Sequence, residues 1–187
     1  MSKPVRRTVA AIGAALALGI GSAVWAASSA SAAPAAHAAA AAIPPVCTPG
    51  DLAVWVSYDA LSGAAGTWYY PLEFTNVSDH NCRTWGWPGV AATSASGRRL
   101  GNQAARSPLY PGEWVNIPAG GTAHSLLAYG AAEVGTSGCK PQNASALKVY
   151  APNTAGARHA FFDLPACTIG GSHTYLRVTA LRPGATI

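Results

Sequence analysis

The sequence predicts an all-β domain: an immunoglobulin-like antiparallel β-sandwich of about seven to nine short strands, stapled by two disulfides. From Cys47 onward, short runs alternate polar and apolar residues with a period of two and are rich in β-branched and aromatic side chains. Gly, Pro, Asn and Ser separate these runs, and no stretch of that region holds a helical period for about three turns. All four cysteines, Cys47, Cys82, Cys139 and Cys167, lie in the same region. An export signal precedes them and implies an oxidising compartment, where disulfides persist.

That signal occupies residues 1–32. Lys3, Arg6 and Arg7 precede an apolar Ala/Gly-rich run from Val9 to Trp25, and small residues follow. Ala30-Ser31-Ala32 fits the small-x-small rule, which places cleavage between Ala32 and Ala33. Gly13, Gly19 and Gly21 interrupt the run, so it makes a poor permanent span, and no stable membrane span is expected after processing. Arg6-Arg7 lacks the wider twin-arginine pattern. No cysteine stands at the cleavage point, so a lipid anchor is not expected there. Residues 33–46 form an Ala/Pro-rich flexible leader, and its lone His37 has no metal partner in sequence. A single β-sandwich domain then covers residues 47–187, a length suited to one core.

The strands follow in order. Leu52, Val54, Val56 and Tyr58 alternate with Ala53, Trp55 and Ser57. The run from Trp68 to Asn76 puts Tyr70, Leu72 and Phe74 on one face, with Pro71 marking an edge or bulge, and Val77 to Asn81 reads as a turn. Further strands are predicted over Glu113–Ile117, Thr122–Tyr129, Ala146–Tyr150, Arg158–Phe162 and Thr174–Leu181. If Cys82 to Trp87 is extended, Cys82, Thr84 and Gly86 share one face and Arg83, Trp85 and Trp87 the other, making the two tryptophans neighbours. Four cysteines permit three pairings, among which the residues alone do not choose.

Charge excludes some functions. Twelve Lys and Arg face seven Asp and Glu, but Lys3, Arg6 and Arg7 belong to the signal, so the exported part is nearly neutral. Nothing there provides the basic surface that nucleic acid or an anionic membrane requires. Catalytic motifs are equally missing. No G-x-S-x-G elbow occurs, and Gly135-Thr136-Ser137-Gly138 and Gly171-Ser172-His173 do not supply one. His80, His124, His159 and His173 form neither H-x-H nor H-E-x-x-H spacings. The acids Asp51, Asp59, Glu73, Asp79, Glu113, Glu133 and Asp163 are scattered, and a four-cysteine metal site would need a C-x-x-C pair. No catalytic residue, metal ligand or cofactor is therefore assigned.

Aromatics remain. Trp55, Trp68, Trp85, Trp87 and Trp114 are many for one domain. Exposed tryptophan stacks on sugars or anchors protein partners, but core filling is the expectation for each taken singly. Asn76-Val77-Ser78 and Asn143-Ala144-Ser145 match the N-glycosylation acceptor pattern.

Taken together, several spaced motifs resemble those of the actinobacterial secreted and lipoprotein family called domain of unknown function 4232. They are Gly63 to Gly66, Leu72 to Asn76, Cys82 with Gly86 to Val90, Leu100-Gly101, Ile117 to Ala123, Cys139, Leu147 to Pro152, Cys167 and Leu176 to Val178. The resemblance implies a β-sandwich with Cys47 paired to Cys82 and Cys139 paired to Cys167, and implies no activity. Three positions depart from the family's pattern: Thr84 stands where it carries leucine, Trp85 where it carries a small polar residue, and Trp87 where it carries tyrosine. Trp87 thus reads as architecture, whereas Trp85 is the candidate for ligand contact. The expected function is a secreted or envelope-associated, monomeric, non-enzymatic module that binds an extracellular protein or envelope glycan. A hydrolase assembled only in three dimensions and a passive envelope scaffold are the alternatives.

Overall fold

The alternating runs fold as strands in a computed structural model that describes residues 42–59, 61–136, 138–168 and 174–186. The export signal with its cleavage point at Ala32 and Ala33, most of the leader and His173 lie outside the described residues. The first strand, β1 (Leu52–Val56), is followed by β2 (Ser62–Ala64) and β3 (Thr67–Asn76), and both earlier strands pair antiparallel along one edge of β3. The other edge of β3 takes β8 (Thr122–Gly130), with Glu73 opposite His124. Beyond β8 lie β11 (Leu176–Val178) and β12 (Arg182–Pro183), both antiparallel to it. The two-residue β6 (Ala105–Arg106) closes this sheet, parallel to β11. A second sheet runs β10 (Ala157–Cys167), β9 (Pro141–Tyr150), β5 (Gly89–Thr93). A third pairs β4 (Cys82–Trp85) with β7 (Trp114–Ile117).

The chain is all-β, with only a four-residue helical turn, α1 (Ala131–Val134), and a 3-10 turn at Pro49–Asp51 among the described residues. Its three sheets share one core. Leu72, Phe74 and Leu127 enter it from the largest sheet, Val90, Leu147 and Phe162 from the second, and Val115 and Ile117 from the third. Each is at most a few per cent exposed, and full burial of such a side chain contributes about 1.5 to 3 kcal/mol. Buried polar groups are tied in as well: the Tyr175 hydroxyl donates to the Leu100 carbonyl at 2.8 Å.

Several expectations change, beginning with the strand number: the described residues form twelve strands rather than seven to nine, several of them only two or three residues long. The tryptophans do not fill the core: Trp55, Trp68, Trp85 and Trp114 are exposed and Trp87 is half-buried. Alternation explains it, because aliphatic residues take the inward positions, Leu52 and Val56 around Trp55, Val115 and Ile117 beside Trp114. The structure joins one cysteine pair rather than two. Cys47 and Cys82 form a disulfide with Cα atoms 4.9 Å apart, and the Cys139 and Cys167 side chains meet without being joined. Cys139 sits half-buried after the α1 turn, and Cys167 is buried at the end of β10.

Strand limits also shift. Thr174–Leu181 narrows to β11, because Thr179 leaves the ladder: its side-chain oxygen accepts the Leu126 N–H at 2.9 Å, and its carbonyl accepts the Ser125 hydroxyl at 2.8 Å. Ala146–Tyr150 and Arg158–Phe162 grow into β9 and β10, whose register shifts at a bulge between Phe161 and Leu164. Phe162 keeps the inward alternation of Ala160 and Leu164 and meets Tyr70 in the core at 4.8 Å between ring centres.

Candidate functional site

The small β4–β7 sheet collects the unusual aromatics. Its first strand is fixed at the start by the Cys47–Cys82 disulfide and by a parallel pairing with the preceding segment. The Arg83 N–H donates to the Pro45 carbonyl at 2.8 Å, and the Cys47 N–H donates to the Arg83 carbonyl at 2.9 Å. Cys82 and Thr84 then point inward and are fully buried, leaving Arg83 and Trp85 on the outer face. The Thr84 hydroxyl is satisfied by the Pro152 carbonyl at 2.8 Å. The threonine at this buried position is therefore a tether rather than a defect.

Across the sheet, β7 presents Trp114 and Asn116 outward. Trp85 lies directly opposite Trp114, and Arg83 opposite Asn116. Side chains opposed in this way start roughly 5 Å apart at Cβ, so the two indoles form one surface. It is open: Trp85 is 42% exposed and Trp114 50%. The Arg83 guanidinium lies 4.1 Å from the centre of the Trp114 ring, a cation–π contact.

Trp87 braces the surface from one end. Its ring meets Trp85 edge-on, with centres 6.3 Å apart and planes at 83°, and its indole N–H donates to the Ser107 carbonyl at 3.0 Å. Arg106 approaches its face at 5.6 Å. Two glycines permit the arrangement. Gly86 bends the chain between the tryptophans with φ +95°, a conformation side chains oppose. Gly112 packs under both rings, where a Cβ would come within 2.9 Å of Trp87 and 3.1 Å of Trp85. At the other end a cleft of about 410 Å³ opens between Arg83, Trp114, Asn81, Asn116, Ile43 and Pro44. The face division expected for Cys82 to Trp87 holds as far as Trp85, where the strand ends and the chain bends at Gly86, and Trp85 is exposed. Missed at the level of sequence were Trp114 as its partner and Arg83 as its charge. The alternation of β7 turns Trp114 outward, but cross-strand register is a long-range property.

Several of the acids and histidines have partners within the fold. Asp51 accepts the Thr48 N–H at 2.6 Å, which holds its carboxyl below the usual range, with His80 Nε2 3.9 Å away. Glu113 pairs with Arg182. Glu73 is buried and accepts the Thr186 N–H at 3.1 Å, while His124 meets the Gly184 carbonyl at 2.7 Å. Among the described residues, no group of three or more His, Cys, Asp and Glu is placed to hold a metal ion. No helix among them is long and apolar enough to cross a membrane. Other hollows lie away from the platform. One of about 260 Å³ lies beside Gly89, Arg99, Gln103 and Lys148, and one of about 370 Å³ beside Thr93, His159 and Phe161.

The two N-glycosylation acceptor patterns separate. Asn76 is fully buried, its amide nitrogen donating to the carbonyls of His80 at 2.8 Å and Ile117 at 3.0 Å. Its folded environment therefore shields it from modification. Asn143 is exposed on β9.

Fold and surface together define a disulfide-bearing all-β domain with an exposed aromatic platform. The family model described as Domain of unknown function (DUF4232) matches residues 47–182, well over half of the chain, and the protein belongs to that family. No curated protein and no solved structure matches the chain.

Proposed function

We propose that the protein is a non-enzymatic binding module, exported and held outside the cell or in the envelope, whose ligand contact is the Trp85–Trp114 platform. The observation supporting this reading is the pairing of two exposed indoles in one register, braced by Trp87 and Gly112. A rigid aromatic surface loses little entropy on binding, and exposed tryptophan is a common anchor for protein and sugar partners. The fold is read as an immunoglobulin-like sandwich, a reading supported by the packing of β1 against β10 around the shared core. Cys139–Cys167 is proposed as its second disulfide, supported by the contact of the two side chains. Non-reducing peptide mapping of the secreted protein should recover both sequential pairs. Free thiols after secretion, or a Cys82–Cys139 link, would refute the pairing.

The function is tested by screening the purified domain against envelope polysaccharides and extracellular proteins, with Trp85→Ala and Trp114→Ala in parallel. A saturable ligand is expected, and each substitution should weaken its binding about tenfold or more. A ligand retained equally by both variants would remove the platform from the function. Turnover of a glycan or peptide in the same screen would favour the hydrolase alternative.

A further inference from the structure

The charge beside the indoles narrows the ligand class. Arg83 Nε is buried and has no hydrogen-bond partner among the described residues, and Arg83 takes part in no ion pair among them. Its backbone is fully committed to Pro45 and Cys47, so only the side chain is available to a ligand. Arg83 is the one charged residue lining the cleft at the end of the platform, where Asn81 and Asn116 add neutral amides. No carboxylate of the described residues pairs with the Arg83 guanidinium, and the fork of an arginine matches a carboxylate bidentately.

Adjacent side chains on one strand face stand about 7 Å apart, so Arg83 and Trp85 are spaced to serve neighbouring parts of one ligand. Flat indole faces suit the apolar C–H faces of pyranose rings, and the guanidinium suits an acid on the next ring. Resting on the platform reading given above, we infer that the site takes an acidic polysaccharide, with pyranose rings stacked on Trp85 and Trp114 and a uronate carboxylate held by Arg83. Two features separate this from diffuse attraction of a polyanion: the exported chain is nearly neutral overall, and the only cation lining this cleft, among the described residues, is the one stacked on Trp114.

Affinity electrophoresis with three polymers tests the assignment: polygalacturonate, its fully methyl-esterified form, and polyglutamate. The first supplies rings and charge, the second rings alone, the third charge alone. The folded protein should be retarded most by polygalacturonate, about tenfold less by the ester and least by polyglutamate. Arg83→Gln should erase the difference between the two ring polymers, and Arg83→Lys should restore only part of it. Trp85→Ala and Trp114→Ala should weaken both. Near-UV circular dichroism and an intact Cys47–Cys82 bond verify folding, and the arginine pair decides the charge question even if a tryptophan variant misfolds. Equal retention by acid and ester overturns the uronate assignment and leaves the platform standing. Polyglutamate binding as strong as polygalacturonate binding overturns it in favour of plain electrostatics, and failure of both ring polymers overturns it outright. Tryptophan variants that fold and still bind both ring polymers normally would instead bring down the platform itself.

Discussion

Single residues carry much of the fold's specificity, and Asn76 is the clearest case. Its side chain donates to two carbonyls and accepts from both the backbone N–H and hydroxyl of Ser78, tying the end of β3 to β7 and to the turn between β3 and β4. Asn76→Asp places an oxygen where a donor faces two carbonyls, and should cost about 2 to 4 kcal/mol in urea unfolding. Asp51 gives the fold an acid sensitivity. Its carboxyl is held below 3.8, first by the Thr48 N–H. A carboxylate with a depressed folded value contributes stability that is complete above the unfolded value and lost as pH falls through the folded one. Asp51→Asn should therefore melt below the native chain at pH 7, with the gap closing as the pH drops beneath about 4. In the sequence Asn76 is legible only as part of a strand and of an acceptor pattern, because its partners Ile117 and His80 come together only in the fold.

At the scale of elements, the period of two did most of the predictive work. It gave β1, β3, β7 and β8 nearly their full extent, and the two faces of Cys82 to Trp85. Where side chains are small or turn-like, it failed. Gly89 to Thr93 reads GVAAT and lacks bulky β-formers, yet it forms β5 because β9 supplies a partner along its whole length. Pro141 to Ser145 has the composition of a turn, but its opposite strand, running to Cys167, holds it extended. The platform was half legible: Trp85 could be placed on an outer face, whereas its pairing with Trp114 depends on which strand lies beside it. Gly112→Ala tests how tightly that pair is supported. The added methyl should displace both indoles, seen as altered near-UV dichroism and tryptophan emission, for about 1 to 2 kcal/mol of stability. Unchanged spectra would show that the rings are not braced from below.

For the whole molecule, residues 41–187 form one compact unit, and its stability rests on a shared core plus at least one covalent tie. The Cys47–Cys82 bond spans 35 residues of sequence, worth about 3 to 4 kcal/mol in the chain-entropy account. Replacing both cysteines by serine should lower the urea midpoint accordingly. It should also loosen the platform, since β4 begins at that bond. The all-β class could be expected from the residues themselves, and the position of this tie only from the family resemblance. The number of sheets could not, because strand partnership depends on contacts far apart along the chain.

The bulge in β10 has a bearing on how copies of the protein meet. An edge strand with regular backbone is a template for another chain. β10 is an edge, but its ladder breaks after Phe161, the Phe161 carbonyl is engaged by the Tyr58 hydroxyl at 3.3 Å, and Pro165 has no N–H to offer. The opposite edge of that sheet, β5, is covered by its own chain: Leu100 and Ala104 donate to the carbonyls of Ala92 and Val90. A foreign strand finds no continuous row of hydrogen-bonding groups on either side. The irregularity beside Phe162 thus guards this sheet against fibrous self-association.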